Sequence, residues 1–441
     1  MWELIMKRYI LDELIAWKDS KRRKPLIMQG ARQVGKTWLL KFFGDNHFPS
    51  VAYIDFHNNE RMKILFESDF DIPRIIVGLQ AETHVKIMPN ETLIIFDEVQ
   101  EVPMAISSLK YFYENAPEYA VIAAGSLLGV ALHKGVSFPV GKVDFINLYP
   151  LSYCEFLEGI GESELVEILL KQDWKLITAF KSKYIDYLRK YYFIGGMPES
   201  VVVYAEDGDY DAVRKVQNNI LLAYRNDFSK HVSKELLAKV HAVWDNIPRQ
   251  LSREQKRFSP GVIKSGSRLK DYEDALQWLI DAGLIYRVEH VNSPLIPLKS
   301  YATGAFKVYL HDIGLLSCMV ELETRTILEG DAIFKEFKGS LTENYVCGEL
   351  IIRGVKPYYW SSERTAEVDF IFKLSGLVLP LEAKAEENLH AKSLRLYSEK
   401  YKPEVALRTS MRDYREDGWL TNIPLYGIGL WLYASNSMQI L

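Results

Sequence analysis

Long apolar runs are missing from this 441-residue chain: none approaches the roughly 20 residues that a membrane-spanning helix needs. Cysteine is scarce too. Cys154, Cys318 and Cys347 are too few and too scattered for a disulfide framework or a zinc ribbon, and they read as small buried apolar residues of a reducing compartment. The nine histidines include no H-x-x-x-H pair and no C-x-x-C stands beside them, which argues against a dedicated zinc site. Nor is there a surplus of one charge: 54 basic against 58 acidic residues give −4, which excludes a wholesale polycation but leaves room for a basic face on one domain. The stretch from Met1 to Trp17 is broken by Glu3, Lys7, Arg8, Asp12 and Glu13, so no secretory leader is expected and the protein is expected in the cytoplasm, away from membranes. What remains is ordinary globular material, long enough for two or three domains at about 150 residues each.

Three textures follow one another, and they set the expected domains at 1–150, 151–330 and 331–441. In the first, Pro25–Met28, Val51–Phe56, Thr92–Phe96 and Tyr119–Ala124 are short apolar strand candidates separated by helical patterns, with a helix expected from about Lys36 to Phe43. That alternation is the signature of a doubly wound parallel α/β sheet. In the second, Phe180–Tyr192 and Asp211–Phe228 carry apolar residues at three-and-four spacing, with a turn at Gly195-Gly196-Met197-Pro198. From Val243 to Val291 a helix, a basic segment, a helix near Arg268–Ala282 and an alternating run at Leu284–His290 outline a winged helix-turn-helix. The third, from about Phe334, has a helix at Leu341–Gly354, strands at Tyr358–Trp360, Val368–Leu374 and Gly376–Ala383, and a helix near Ala391–Lys400.

Gly30-Ala31-Arg32-Gln33-Val34-Gly35-Lys36-Thr37 matches G-x-x-x-x-G-K-[ST], after an expected strand and at the opening of an expected helix. Backbone amides and a helix N-terminus in that setting cradle phosphate oxygens. Lys36 is expected to reach the terminal phosphates of ATP and Thr37 to hold Mg²⁺. Asp97-Glu98 ends the apolar run Leu93–Phe96, 61 positions after Lys36, so Asp97 is expected to position Mg²⁺ and Glu98 to orient or deprotonate the attacking water. Ser126 closes another apolar strand and either touches that water or the γ-phosphate, or caps the helix that follows.

With Gly125-Ser126-Leu127-Leu128, Leu148-Tyr149-Pro150-Leu151-Ser152 and Glu155-Phe156, these motifs make the chain resemble the AAA-like ATPases of bacteria and archaea that carry a C-terminal domain of unknown function. The resemblance runs nearly end to end. It implies a P-loop core that hydrolyses ATP, a helical and winged-helix middle, and a nuclease-like C-terminal fold. Ser126 stands where an asparagine commonly serves as sensor in AAA+ proteins, and the middle region has no clear sensor arginine.

Glu367-Val368-Asp369 and, 13 positions on from Asp369, Glu382-Ala383-Lys384 resemble the D…(D/E)-x-K signature of restriction-endonuclease-like folds, with Glu343 as the upstream acid. Two carboxylates on adjacent strands hold a divalent cation, and a lysine beside them prepares the attacking water. The alternative is a structural Glu382–Lys384 ion pair in a fold without activity. Arg249, Arg253, Lys256, Arg257, Lys264, Arg268 and Lys270 form a basic run suited to phosphate contacts with double-stranded DNA, although acidic neighbours also fit a solvated face. Arg225 suits an arginine finger in a homo-oligomer or a plain surface position. The whole reading is an ATP-hydrolysing, Mg²⁺-dependent AAA-like protein acting on or with DNA; the alternative is an ATP-gated switch or scaffold whose nuclease-like domain is inactive.

Overall fold

The computed structural model describes residues 7–126, 139–323, 335–362, 366–385 and 392–437. Met1, Glu3, Leu127, Leu128, Phe334 and Ala391, which enter the expectations above, lie outside the described residues. The chain divides into two compact units, one of Arg8–Tyr149 with Trp278–Leu284, the other of Lys7, Pro150–Gln277 and the described residues from Ile285 on.

Among the described residues the first unit has five strands, β1 (Leu26–Gln29), β2 (Ser50–Asp55), β3 (Thr92–Asp97), β4 (Ala120–Ala124) and β5 (Asp144–Asn147). They are all parallel, in the order β2-β3-β4-β1-β5. Its helices include α1 (Ile10–Asp19), α2 (Lys36–His47), α3 (Glu60–Ser68), α4 (Ile72–Thr83) and α5 (Pro103–Asn115). Strands β3 and β4 are buried along their whole length, as a parallel sheet covered on both faces requires. In α2 the buried residues Leu39, Leu40 and Phe43 recur at three-and-four spacing and dock the helix on the sheet. Phe56, Phe66 and Phe96 meet edge to face at 5.4–5.6 Å, a geometry worth about 0.5–1.5 kcal/mol per pair beyond the area buried. Strands β1 to β4 coincide with the expected apolar runs; β5 has no such signal, since Asp144–Asn147 is short and alternates only weakly. Because β4 lies between β1 and β3, the turns after all three strands line up at the carboxyl edge of the sheet, where parallel α/β folds bind ligands.

The second unit carries, among its described residues, an eight-stranded mixed sheet, β12-β13-β11-β10-β9-β8-β6-β7. Its strands are β6 (Ile285–Val291), β7 (Ala302–Leu310), β8 (Tyr358–Ser361), β9 (Glu367–Leu374), β10 (Leu377–Ala383), β11 (Ala406–Ser410), β12 (Arg415–Asp417) and β13 (Leu420–Pro424). The β6–β7 hairpin, whose sequence pattern suggests a wing, pairs through β6 with β8 in parallel register, Glu289 opposite Tyr358 and Val291 opposite Trp360. Val291, Tyr358, Trp360, Val368 and Tyr397 share one apolar core across that junction. Helices precede the sheet, among them Lys181–Ile194, Pro198–Asp207, Tyr210–His231 and Lys234–Leu251. The expected turn separates the first two. There Gly196 lies so close to Leu151 that a Cβ would fall 2.1 Å from its carbonyl oxygen, and the Gly196 amide donates to Asp312 Oδ2 at 2.6 Å. Helix Lys335–Ile352 is fastened to β7 by Asn344, whose amide group both donates to and accepts from the backbone of Leu310. Among the described residues no helix is long and apolar enough to cross a membrane.

Candidate nucleotide site and C-terminal charge cluster

The turn between β1 and α2 is shaped by two glycines. Gly30 has φ +153, and a Cβ there would lie 2.3 Å from the Leu148 carbonyl oxygen. Gly35 sits at the N-cap of α2 with φ +92, a left-handed conformation that favours glycine. Ala31 and Val34 are buried and pin the loop, whereas Arg32 and Gln33 are exposed at its tip. The N-terminus of α2 has no side-chain cap and no acidic residue in its first turn, so among the described residues no such group competes with an anion for its amides. This bare cradle fits phosphate.

Lys36 is buried and its Nζ donates to the carbonyl oxygens of Gly30 and Ala31, both at 2.8 Å. Burial pulls its pKa down to about 8, against the opposing pull of Glu98 and Asp97. Thr37 Oγ1 donates to Asp97 Oδ2 at 2.7 Å, joining the two residues expected to hold Mg²⁺. The donor set, a hydroxyl beside a buried carboxylate, suits a hard cation. Glu98 has a left-handed backbone, φ +51, unusual for a residue with a side chain. Its carboxylate is held from two sides, by Ser126 Oγ at 3.3 Å and by the side-chain amide of Gln100. The structure thus brings Lys36, Thr37, Asp97, Glu98 and Ser126 together at the carboxyl edge of the sheet.

Sequence reasoning misses three supporting residues. Arg8 donates through Nη1 to the Val34 carbonyl at 3.2 Å and through Nη2 to the Tyr149 carbonyl at 2.6 Å, bracing the loop from behind. Tyr53 on β2 donates its hydroxyl to Asp97 Oδ2 at 2.9 Å. Gln100 looks like an ordinary turn residue. None forms a local motif, and only the strand order reveals Tyr53.

Residues 22–157 match a family described as an AAA domain. The core is therefore an AAA-type P-loop fold, as the sheet order and the loop already indicate. Residues 185–326 and 338–426 match two families described as domains of unknown function, DUF8612 and DUF4143. Solved structures similar to the chain include a Walker-type ATPase of Pyrococcus abyssi, 15% identical, covering 72% of this chain and 96% of that one with a TM-score of 0.44. The ORC1 protein of Aeropyrum pernix, solved in complex with DNA, is 12% identical over 72% of this chain and 91% of its own, TM-score 0.28. The RuvB Holliday junction branch migration motor of Thermotoga maritima is 10% identical over 65% of this chain and 94% of its own, TM-score 0.28. No curated protein matches the sequence.

In the second unit the sheet gathers the C-terminal carboxylates around lysines. Asp369 Oδ2 accepts from the Ala383 amide at 2.9 Å. Glu382 Oε1 pairs with Lys384 Nζ at 2.7 Å, while its Oε2 is buried with no hydrogen-bond partner among the described residues. The upstream acid Glu343 is differently engaged. One oxygen takes the ammonium of Lys256, and the other accepts from Tyr309 at 3.1 Å and faces Lys307 at 3.6 Å. Lys307, fully buried on β7, lies 2.5 Å from Glu367. Burial and the neighbouring Glu343 push Asp369 up to about 7. Burial pushes Glu343 upward too, but Lys256 and Lys307 overcome it and hold that carboxyl down at about 2. Among the described residues no group of three or more His, Cys, Asp or Glu side chains is arranged to hold a metal ion.

The basic run is divided by burial. Arg249, Arg257, Lys264, Arg268 and Lys270 reach solvent to differing degrees, as does Arg253, whereas Lys256 is drawn inward to Glu343. Arg225 pairs with Asp245 of the same chain.

Proposed function

We propose that this protein binds ATP with Mg²⁺ at the Gly30–Thr37 loop and hydrolyses it there, and that it does so in association with double-stranded DNA. One observation supports the first part: Lys36, Thr37, Asp97, Glu98 and Ser126 lie together beside the glycine loop at the carboxyl edge of an AAA-type sheet. Gly30, Ala31, Arg32, Gln33, Val34 and Gly35 offer backbone amides to the phosphates, and Lys36 adds an ammonium that a triphosphate would draw away from the loop carbonyls. Thr37 and Asp97 would hold Mg²⁺, which offsets charge on the phosphates. Glu98, oriented by Ser126 and Gln100, takes a proton from the attacking water.

The DNA part is supported by the solvent-facing basic residues between Arg249 and Lys270, which supply sequence-independent phosphate contacts. For the C-terminal carboxylates the favoured reading is a fold that grips its partner without cutting it. The specific observation is Glu343: two lysines and a tyrosine hydroxyl already satisfy it, so it is not offered to a cation. Cutting through Asp369, Glu382 and Lys384 is the competing reading, and a Mn²⁺ cleavage assay on wild type, Asp369→Ala and Lys384→Ala separates them.

Phosphate release from ATP is the deciding measurement. Wild type with Mg²⁺ is expected to turn over, Lys36→Ala is expected to be silent, and double-stranded DNA is expected to raise the wild-type rate. A wild type that neither binds ATP nor releases phosphate overturns the reading.

A further inference from the structure

We propose that Tyr53 is a positioning residue of the phosphate site, fixing the Asp97 carboxylate for the divalent cation that accompanies the nucleotide, and that Lys41 in turn fixes Tyr53. The inference rests on the nucleotide reading above and adds two residues to it.

Register explains how Tyr53 reaches the site. In the parallel β2–β3 pair, Tyr53 lies opposite Ile95 and Asp55 opposite Asp97. Side chains alternate along a strand, so Tyr53, Ile95 and Asp97 share one face of the sheet. Asp97 is two residues further along, about 6.6 Å by strand rise. A tyrosine hydroxyl spans that gap; a serine or threonine at 53 would fall short. The hydroxyl arrives at Asp97 Oδ2, at 2.9 Å.

Asp97 is thereby held by three donors. Oδ2 accepts from Thr37 Oγ1 and Tyr53, and Oδ1 accepts from the Glu98 amide at 3.0 Å. A buried carboxylate with donors on both oxygens keeps one rotamer. Thr37 belongs to the helix that opens at the phosphate loop and Glu98 to the turn that carries the base. Tyr53 is the donor that comes from the neighbouring strand, so it anchors the carboxylate to the sheet.

Tyr53 is itself anchored by α2. Lys41 places its ammonium 3.9 Å from the centre of the Tyr53 ring, a close cation–π contact. Lys41 lies four residues after Thr37, on the same face of that helix. The helix therefore presents Thr37 to Asp97 directly and Lys41 to Asp97 through Tyr53, which closes a loop over α2, β2 and β3.

The test measures binding, with no turnover needed. A fluorescent ATP analogue is titrated into wild type and Tyr53→Phe, once in EDTA and once in saturating Mg²⁺, with thermal unfolding as a check on the fold. Tyr53→Phe is expected to bind as wild type does in EDTA but to lose about tenfold of the tightening that Mg²⁺ confers, the lower end of what one lost hydrogen bond to a charged group removes. The Mg²⁺ concentration needed for half the effect rises with it. Lys41→Met is expected to shift both quantities in the same direction by less, and it carries the test should Tyr53→Phe fail to fold. A folded variant with unchanged Mg²⁺ tightening overturns the proposal and leaves the nucleotide reading intact. A wild type that binds no analogue in either buffer overturns the nucleotide reading itself.

Discussion

At the scale of single residues, the nucleotide site separates binding from chemistry. The Glu98 side chain is held by Ser126 and Gln100 and supplies no donor to the cradle, so Glu98→Gln keeps the amide-lined loop and removes the proton acceptor. Its turnover is expected to fall about 10²- to 10⁴-fold with ATP affinity near wild type, measured by phosphate release and by analogue binding. Lys36 makes a pH prediction. Its native pKa of about 8 lies below the ordinary 10.5. Between those values the unfolded chain binds more protons than the native one, so the stability of the nucleotide-free protein rises as pH rises from 8 to 10.5. Affinity for ATP runs the other way, because the phosphates need the ammonium form. A plot of analogue affinity against pH is expected to bend downward above about pH 8, and a flat plot would exclude Lys36 from phosphate binding.

At the scale of elements, long-range pairs carry what the motifs do not. Lys307 on β7 sits between Glu343 of helix Lys335–Ile352 and Glu367 of β9. Lys307→Met leaves those carboxylates with one cation fewer, and such a loss costs about 3–5 kcal/mol, readable in urea unfolding. Glu367→Gln in the same background is expected to recover part of it, since the orphaned charge is gone. The contrast with the phosphate loop explains what the sequence could tell. The Gly30–Thr37 segment is contiguous, its glycines state their backbone needs, and strands β1 to β4 announce themselves as apolar runs. Tyr53 and Arg8 are opaque because their value depends on which strand lies beside which. Lys256 and Lys307 are opaque because their partner, Glu343, is 87 and 36 positions away. Lys256 in particular reads as one more member of a basic face, whereas the fold withdraws it from that face.

At the scale of the whole molecule, the solvent-facing part of the basic run sets the expected salt response. If Arg249, Arg257, Lys264, Arg268 and Lys270 contact DNA phosphates, the logarithm of affinity falls linearly with the logarithm of salt concentration. Each removal, Arg257→Ala for example, is expected to flatten that slope by about one unit at every DNA sequence tried. Lys256→Ala is expected to leave the slope unchanged and to lower stability instead, which a DNA-binding titration beside a melting curve distinguishes.

The parallel pairing of β6 with β8 bears on how this protein can be taken apart. Two segments that match separate families of unknown function are stitched by main-chain hydrogen bonds into a single ribbon, and both lysines that neutralise Glu343, Lys256 and Lys307, come from the earlier segment. A fragment beginning after residue 330 would bare the flank of β8 and strand a buried anion, both invitations to aggregate. Expressed alone it should be insoluble, and supplying residues 150–330 in trans should rescue it. By the same token, each segment completes a sheet and a charge cluster that the other begins.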